Sequence, residues 1–249
     1  MLPPCVNRSS SEFGVEPPGD RLRFGLSGIK NVGEGAVDRI VEARNEGGDF
    51  GSLYDFCARL DGRRVNRRAI ESLIRSGSFD SFKASRAALW EVLDRAIESG
   101  QRSQRDRASG QTSLFGDTDV AVDPPLPEVT EWPEAELLAG EKEMLGLYMT
   151  GHPLDSRGKE LRLLADLSAA RVSAAQRGQQ VRMAGVLNAL DQRKTRKGAI
   201  MARGVLEDLG GSVDVVFLPD AFERHAELLR SPKPMLLRGT LQMLSLIHI

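Results

Sequence analysis

The apolar residues in the first hundred positions recur three and four residues apart, which is the spacing of one face of an α-helix. Ser52 and Asn66 each stand just before such a pattern, so they are predicted to cap two short helices. Ser85 precedes the clearest pattern and predicts a third, longer helix that ends at Gly100, since glycine favours termination. This part of the chain is therefore predicted to be all-helical.

From Val181 onward the pattern changes to alternation and to short runs of β-branched residues, which are typical of strands. The segment Asp208-Leu209-Gly210-Gly211 predicts a hairpin turn. The predicted elements are, in order, strands over 181–187, 199–206 and 213–218, a helix over 222–229 and a strand over 235–241. This order predicts an OB-type β-barrel that lacks its last strand, so the fold class of the chain is α+β.

The composition between these two regions is typical of connecting segments. Residues 101–132 are polar and proline-containing, and a pair of helices is predicted over 133–148 and 155–164. The predicted organisation is an extended lead-in over 1–22, a helical domain over 23–100, a linker over 101–132, a helical connector over 133–180 and an incomplete barrel domain over 181–249.

The overall charge says little about partners, because 34 Lys and Arg residues balance 35 Asp and Glu residues. The charge is unevenly distributed instead: the stretch from Arg59 to Arg75 is basic, and the stretch from Asp117 to Glu143 is acidic. No apolar run approaches the ~20 residues that span a bilayer, and the cysteines stand far from the histidines. The sequence predicts a soluble cytoplasmic protein without a zinc site or a membrane partner.

The segment from Leu26 to Val37 predicts a helix-hairpin-helix, in which two short helices are joined by an apolar-Gly-x-Gly turn. Lys30 falls in the predicted first helix. Glycines in such a turn let the backbone approach a phosphate, and the free N–H groups of the second helix point at it. The alternative is a tight turn without a ligand. The candidate DNA-contacting residues are Lys30, Asn31, Val32, Gly33, Glu34, Gly35 and Ala36.

Four arginines cluster at the start of the helix that Asn66 is predicted to cap; they are Arg63, Arg64, Arg67 and Arg68. Positive charge at a helix N-terminus opposes the helix dipole, so the cluster is predicted to face an external anion such as a DNA phosphate. The alternative is a solvated helix start.

The loop between the first two predicted strands is also basic, and its charged residues are Arg193, Lys194, Arg196 and Lys197. OB barrels commonly bind single strands through this loop and the adjacent sheet face, so single-stranded DNA is the predicted ligand. Phe217 is the only aromatic residue in the predicted strands, so we expect backbone contacts to matter more than base stacking. The alternative is a loop that is basic for solubility alone.

Patterns for catalysis are missing from the sequence. There is no paired-carboxylate strand pattern for metal-assisted phosphoryl transfer and no phosphate-binding P-loop. The acidic residues Glu131, Glu134, Glu136, Glu141 and Glu143 are predicted to form a solvated helix face. We therefore expect no catalytic residue, metal site or cofactor within this chain.

Several segments, taken in order, resemble one protein family. They are Leu2–Asn7, Arg23–Leu26 with the hairpin that follows, Asn66–Asp80, Gln111–Phe115 and Glu141–Leu154. Each segment is short, but their order along nearly the whole chain is specific. The chain resembles the carboxy-terminal region of the bacterial replicative DNA polymerase III alpha subunit.

This resemblance implies a parent protein that is a DNA-directed DNA polymerase, a nucleotidyltransferase of chromosomal replication that uses Mg²⁺ and whose catalytic aspartates lie upstream. It implies double-stranded DNA at the hairpin, single-stranded template near the barrel, and other polymerase III holoenzyme subunits as partners. It also implies binding of the sliding clamp, the beta subunit, through Gln111, Leu114 and Phe115. The ending from Met243 to Ile249 departs from the family and predicts a truncated chain.

Three alternatives to this interpretation remain open. A free-standing DNA-binding accessory of repair or recombination could combine a helix-hairpin-helix with an OB barrel, although both ends of the chain resemble cuts. The error-prone paralogue of the alpha subunit is a second alternative, and the clamp motif favours the replicative member over it. A scaffold whose helices bind only protein is the third, and it would show no salt-sensitive DNA affinity.

Overall fold

The computed structural model describes residues 1–108, 123–155, 160, 163–231 and 233–242. The chain divides into two units, residues 1–150 and residues 151–249, which we call the helical unit and the barrel unit. The division falls inside the segment for which a helical connector is predicted. Each unit has hydrophobic core residues of its own.

The helical unit contains a small antiparallel hairpin followed by helices. The strands are β1 (Gly14–Glu16) and β2 (Arg21–Arg23), and the helices are α1 (Glu34–Gly47), α2 (Leu53–Arg59), α3 (Arg67–Arg75), α4 (Arg86–Ala108) and α5 (Glu134–Leu145). Single 3₁₀ turns lie at Leu26–Gly28 and Asp80–Phe82. Of the predicted pair of helices after residue 132, α5 is the first, and the second falls for the most part outside the described residues.

Side-chain caps start three of these helices where the sequence predicts them. The side chains of Ser52 and Asn66 accept hydrogen bonds from backbone N–H groups three residues ahead, at 3.0 and 2.9 Å. Ser85 does the same for α4, at 3.1 Å. Each bond satisfies an N–H group that has no acceptor within its helix, so the three predicted helix starts are confirmed.

The predicted end of the long helix at Gly100 is wrong, because α4 continues to Ala108. A Cβ atom placed on Gly100 would lie 2.4 Å from the backbone oxygen of Cys57 on α2. The glycine therefore permits close packing of α4 on α2 and does not end the helix. Gln104, one turn further along, donates a hydrogen bond to the same oxygen at 3.2 Å. Residues 101–108, predicted as linker, are helical.

Residues 1–22, predicted as an extended lead-in, contribute to the core of the helical unit. The side chain of Val6 is fully buried. Asn7 donates a hydrogen bond to the carbonyl oxygen of Phe50 at 2.9 Å and accepts one from its N–H at 2.8 Å. In the hairpin, Val15 stands opposite Leu22. The segment is thus packed as part of the unit, because its buried backbone and side chains find partners there.

A row of aromatic rings runs through the core of the helical unit. Phe50 packs edge to face on Phe56, and Phe56 packs in the same way on Phe79, with centroids 4.9 Å apart in both pairs. Phe82 follows at 5.2 Å. Edge-to-face pairs add attraction beyond that of the apolar area they bury, so the two edge-to-face pairs of this row add to the stability of the unit.

The two tryptophans of the sequence also lie in the helical unit. Trp90 on α4 and Trp132 pack edge to face, with centroids 5.7 Å apart.

Next to the two tryptophans, the carboxylate of Glu131 accepts hydrogen bonds from the backbone N–H groups of Arg86 (2.8 Å) and Ala87 (3.0 Å). The prediction that Glu131 belongs to a solvated helix face is therefore wrong, since this residue caps the start of α4.

The barrel unit contains a curled antiparallel sheet and a helix. Its elements are β3 (Gln180–Lys194), β4 (Ile200–Asp208), β5 (Gly211–Phe217), α6 (Pro219–Leu229) and β6 (Met235–Thr240), with a 3₁₀ stretch at Ala169–Ala174 before them. The strand order in the sheet is β5-β4-β3-β6. The predicted order of elements and the α+β fold with an OB-type half-barrel are confirmed.

The long strand β3 gives the sheet its curl, because it pairs with two neighbours along different parts of its length. Residues 180–185 pair with β6, and residues 186–194 pair with β4, with a bulge between Asn188 and Asp191. Asp208 pairs with Gly211 across the turn from β4 to β5, so the predicted hairpin is confirmed. In the described part of the chain, the outer edges of β5 and β6 have no strand partner.

Across the residues that the structure describes, no helix combines the length and the apolar content needed to cross a membrane.

Candidate nucleic-acid interface

The predicted helix-hairpin-helix turn lies between the 3₁₀ turn Leu26–Gly28 and α1. The first helical element consists of that 3₁₀ turn alone, so Lys30, predicted inside the first helix, lies in the turn itself. Asn31 adopts the left-handed conformation (φ 67°), and Gly33 precedes α1, which begins at Glu34. The change of direction depends on the left-handed residue, a conformation that asparagine tolerates better than most side chains.

Buried apolar side chains hold this turn against the core. Leu26 and Ile29 are buried before the turn, and Val32 and Ala36 are buried at its two ends. Two of the predicted DNA-contacting residues, Val32 and Ala36, therefore position the turn through packing, and their side chains are not available to a ligand.

Two hydrogen bonds attach the turn to other helices. The side-chain nitrogen of Asn31 donates to Oγ of Ser72 on α3 at 3.1 Å. The backbone N–H of Lys30 donates to the carbonyl oxygen of Met144 on α5 at 2.9 Å. The side chain of Lys30 is exposed, so the turn is fixed through its backbone while its charge faces solvent.

The start of α1 leaves backbone N–H groups without an acceptor. Gly33, Glu34 and Gly35 are exposed, and within the described ranges none of their N–H groups has a protein acceptor. A Cβ atom placed on Gly33 would meet nothing within 4 Å, so a phosphate has room to approach. The Glu34 carboxylate suits the helix dipole but repels an anion, so at this residue the backbone is the group that fits a phosphate.

The arginine cluster lies beside this turn. A Cβ atom placed on Gly35 would lie 3.8 Å from Nη1 of Arg64, which belongs to the connection between α2 and α3. Arg63, Arg64 and Arg68 are exposed, and among the described residues none of them pairs with a carboxylate. The fold thus places unbalanced positive charge next to the glycine turn, although the two lie about thirty positions apart in the sequence.

Arg67 is held differently from its three neighbours. Its Nε donates to Oε1 of Glu71, one turn along α3, at 2.7 Å. A second nitrogen of the same guanidinium pairs with Asp94 on α4. Two carboxylates within the unit therefore balance the charge of Arg67, which leaves less of it for an external anion than at Arg64.

The basic loop of the barrel unit is the tip of the hairpin between β3 and β4. Backbone hydrogen bonds from Thr195 to Ala199 (2.8 Å) and from Gly198 to Thr195 (2.9 Å) close the turn, and Gly198 has the positive φ that it requires (82°). Arg193 pairs with Asp191 at 2.9 Å. The four predicted basic residues, Arg193, Lys194, Arg196 and Lys197, are all exposed at this tip.

The single aromatic residue of these strands does not offer a stacking surface beside the loop. Phe217, at the end of β5, is partly buried and packs against the cluster that contains Phe222. Because this ring is partly covered by the core, less of it is open to a base, so the sheet suits backbone contacts better than stacking.

The expectation of a solvated acidic face is also wrong for Glu141, which is fully buried on α5. Its Oε1 accepts a hydrogen bond from Nη2 of Arg86 at 3.1 Å. Burial alone would lower the pKa of the Arg86 guanidinium, but hydrogen bonds and charges from Asp80 and Glu141 outweigh that effect and raise the pKa. The sequence offers no local signal for this pair, because its members lie 55 positions apart.

The predicted clamp-binding residues Gln111, Leu114 and Phe115 lie outside the described residues. Within the described part of the chain, no group of three or more His, Cys, Asp or Glu side chains is placed to hold a metal ion.

Comparison with known proteins identifies similar sequences over most of the chain. A family model described as a helix-hairpin-helix motif matches residues 1–89, a range that contains the Gly33–Gly35 turn and the arginine cluster. The chain is 37% identical over 242 residues to DNA polymerase III subunit alpha of Vibrio cholerae and 34% identical over 243 residues to that of Escherichia coli K12. Each alignment covers 96% of this chain and 21% of the relative. The alpha subunit of Deinococcus radiodurans is 39% identical over 251 residues. The chain thus spans about a fifth of the length of the curated relatives it matches.

Proposed function

The chain is homologous along nearly its whole length to part of the DNA polymerase III alpha subunits, and from this premise we propose that it is a DNA-holding segment of such a polymerase. In this role it acts in bacterial chromosomal replication, and it positions primer–template DNA while other parts of the parent protein carry out nucleotide transfer. The substrates of the parent are DNA and nucleotides, and its chemistry uses divalent metal ions.

The observation that carries this proposal is the proximity of the Gly33–Gly35 turn to the guanidinium of Arg64. The turn offers backbone N–H groups without acceptors at the start of α1, and Arg64 adds a guanidinium beside them. Backbone N–H groups and arginine side chains together favour phosphate oxygens, and such contacts hold a duplex without reading its sequence. Double-stranded DNA is therefore the proposed ligand of this surface, with Lys30, Arg63 and Arg68 at its margins.

The proposed ligand of the barrel unit is single-stranded template. Support comes from the hairpin tip with its four basic residues, of which only Arg193 has a carboxylate partner among the described residues. Positive charge without exposed aromatic rings suits a strand held by its phosphates.

A proposed third contact is with the sliding clamp, through Gln111, Leu114 and Phe115. The support is the sequence alone: two adjacent large apolar side chains stand in a polar stretch. Burying both in a clamp pocket contributes about 1.5–3 kcal/mol per side chain before the cost of ordering the segment, so micromolar rather than tight binding is expected. Replacing Leu114 and Phe115 by Ala should abolish clamp binding in surface plasmon resonance and leave DNA affinity unchanged. Equal clamp binding by the double variant would remove this contact from the proposal.

Titration of primer–template DNA against salt concentration tests the duplex-binding surface. For the parent chain, the logarithm of the association constant should fall linearly with the logarithm of the salt concentration, by about 0.9 per neutralised phosphate. The substitutions Arg64→Glu and Arg68→Glu together should weaken binding and flatten this slope. Arg21→Glu on β2 is the matched control, because it reverses a charge outside the proposed surface, and it should leave the slope nearly as it is.

An unchanged slope in the Arg64→Glu, Arg68→Glu variant would exclude these arginines from the interface. DNA affinity that does not depend on salt, or no affinity, would instead favour a scaffold that binds only protein.

A further inference from the structure

The buried carboxylate of Glu141 accepts four hydrogen bonds from two directions. On one side, Oε1 accepts from Nη2 of Arg86 at 3.1 Å and from the hydroxyl of Thr150 at 2.8 Å. On the other side, Oε2 accepts from the backbone N–H groups of Met149 (2.9 Å) and Thr150 (3.0 Å). A fully buried carboxylate is costly unless its oxygens are satisfied, and here both are.

The Arg86 side of this arrangement connects Glu141 to the helices of the unit. Arg86 is the first residue of α4, and its guanidinium also forms a two-bond pair with Asp80, at 3.0 and 2.7 Å. A Cβ atom placed on Gly77 would lie 2.2 Å from Nη2 of Arg86, so the guanidinium occupies space that only a glycine leaves open. Gly140 permits the approach of α5 in a similar way, since its Cβ would lie 3.2 Å from the backbone oxygen of Arg75 on α3.

The other side of Glu141 holds the last residues of the helical unit. Met149 and Thr150 stand immediately before the division between the two units, and their N–H groups lie beyond the end of α5. One turn of α5 separates Glu141 from Met144, whose carbonyl oxygen accepts the hydrogen bond from Lys30 in the glycine turn. The same helix thus touches the DNA-facing turn and the exit of the chain.

We infer that Glu141 is a positioning residue that fixes the exit of the chain from the helical unit. Its carboxylate joins the exit residues 149–150 to Arg86, the first residue of α4. Nη1 of Arg86 in turn donates a hydrogen bond to the carbonyl oxygen of Arg75, the last residue of α3, at 3.4 Å. The inference concerns the path of the backbone and does not depend on DNA binding. A carboxylate is needed because all the groups around it are donors: a glutamine would turn its own N–H₂ group toward either Arg86 or the backbone N–H groups, and one side would lose its acceptor.

Amide hydrogen exchange of the full 249-residue chain, read at residues 149 and 150, tests this role. Glu141→Met, which removes both acceptor oxygens, should raise the exchange rates of these two amides at least tenfold over those of the parent. Glu143→Met is the matched control, because Glu143 lies on the same helix and pairs at the surface with Arg75 (2.7 Å), and it should leave both rates unchanged.

A double variant separates the positioning role from a merely structural ion pair. In Arg86→Met, Glu141→Met both buried charges are removed together, so the melting temperature should recover relative to Glu141→Met alone. The amides of Met149 and Thr150 should nevertheless exchange rapidly, because no acceptor has been restored to them. Parent-like exchange at these amides in the double variant, or in Glu141→Met, would overturn the inference and leave Glu141 as a partner of Arg86 alone.

Discussion

The helical unit and the barrel unit present their basic residues on different kinds of support. In the helical unit, the glycine turn is backed by Val32 and Ala36, which belong to a large core cluster, and Arg64 lies directly beside it. In the barrel unit, the basic residues stand at the tip of a hairpin, and the buried residues form two small clusters, one around Phe222 and one around Leu206. The first surface therefore depends on the integrity of a core, and the second depends mainly on a local turn.

The largest expected effect comes from damage to the core of the helical unit. Phe56 is fully buried between two aromatic rings, so Phe56→Ala should destabilise the unit by about 3–5 kcal/mol. Duplex affinity should fall with it, because the glycine turn packs on the same core. Phe222→Ala in the smaller core of the barrel unit should leave duplex affinity intact. Urea unfolding and DNA titration of both variants measure this contrast. Equal losses of duplex affinity in the two variants would show that duplex binding does not depend specifically on the core of the helical unit.

A second expected effect is the order in which the units open. The outer edges of β5 and β6 are unpaired among the described residues, and the sheet has little buried apolar area beside it. The strands β3 to β6 should therefore open at a lower free energy than the helices α2 to α4. Measured by amide hydrogen exchange, their protection factors should be at least tenfold lower. Equal protection in the two sets of elements would mean that the edges are covered in solution.

The smallest expected effect concerns Glu131 and depends on pH. Partial burial would raise the pKa of its carboxyl, but backbone N–H groups of Ala87, Trp132 and Arg86 outweigh this effect and hold the pKa below its ordinary value. A carboxyl group whose pKa is lower in the folded state than in the unfolded state stabilises the protein at pH values above the unfolded-state pKa. This contribution is lost as the pH falls through the folded-state pKa.

Glu131→Gln should therefore cost about 0.5–2 kcal/mol at neutral pH, as the loss of a helix cap does, and the difference from the parent should shrink in acid. Thermal melts of the two proteins across a pH series measure it. Glu128→Gln, which changes an exposed carboxylate three positions away, is the control and should melt like the parent at neutral pH. A constant difference between parent and Glu131→Gln at every pH would contradict the role of the charge.

The features that could be predicted from the sequence are those with partners close along the chain. The caps at Ser52, Asn66 and Ser85 act three residues ahead, and the turn at Asp208–Gly211 closes on itself, so local patterns contain all that is needed. The order of the strands follows from the same local patterns, and it is sufficient to predict the OB-type arrangement.

The features that could not be predicted have distant partners. Gly100 carries the usual signal for a helix end, and only the neighbouring α2 shows that it serves close packing. The sequence pattern places Glu141 and Arg67 on solvated helix surfaces. In the structure Glu141 is buried with Arg86, and Arg67 pairs with Asp94, 27 positions away. The proximity of Arg64 to Gly35 likewise depends on how α1, α2 and α3 pack, which no single segment encodes.

The positions of Trp90 and Trp132 make the two units spectroscopically distinguishable. Both tryptophans and both tyrosines of the sequence, Tyr54 and Tyr148, lie within residues 1–150. The fluorescence of tryptophan and tyrosine therefore reports on the helical unit alone, while far-ultraviolet circular dichroism reports on both units. A melt followed by the two signals together separates the units without any label, and the edge-to-face contact makes the emission sensitive to release of the segment that carries Glu131 from α4.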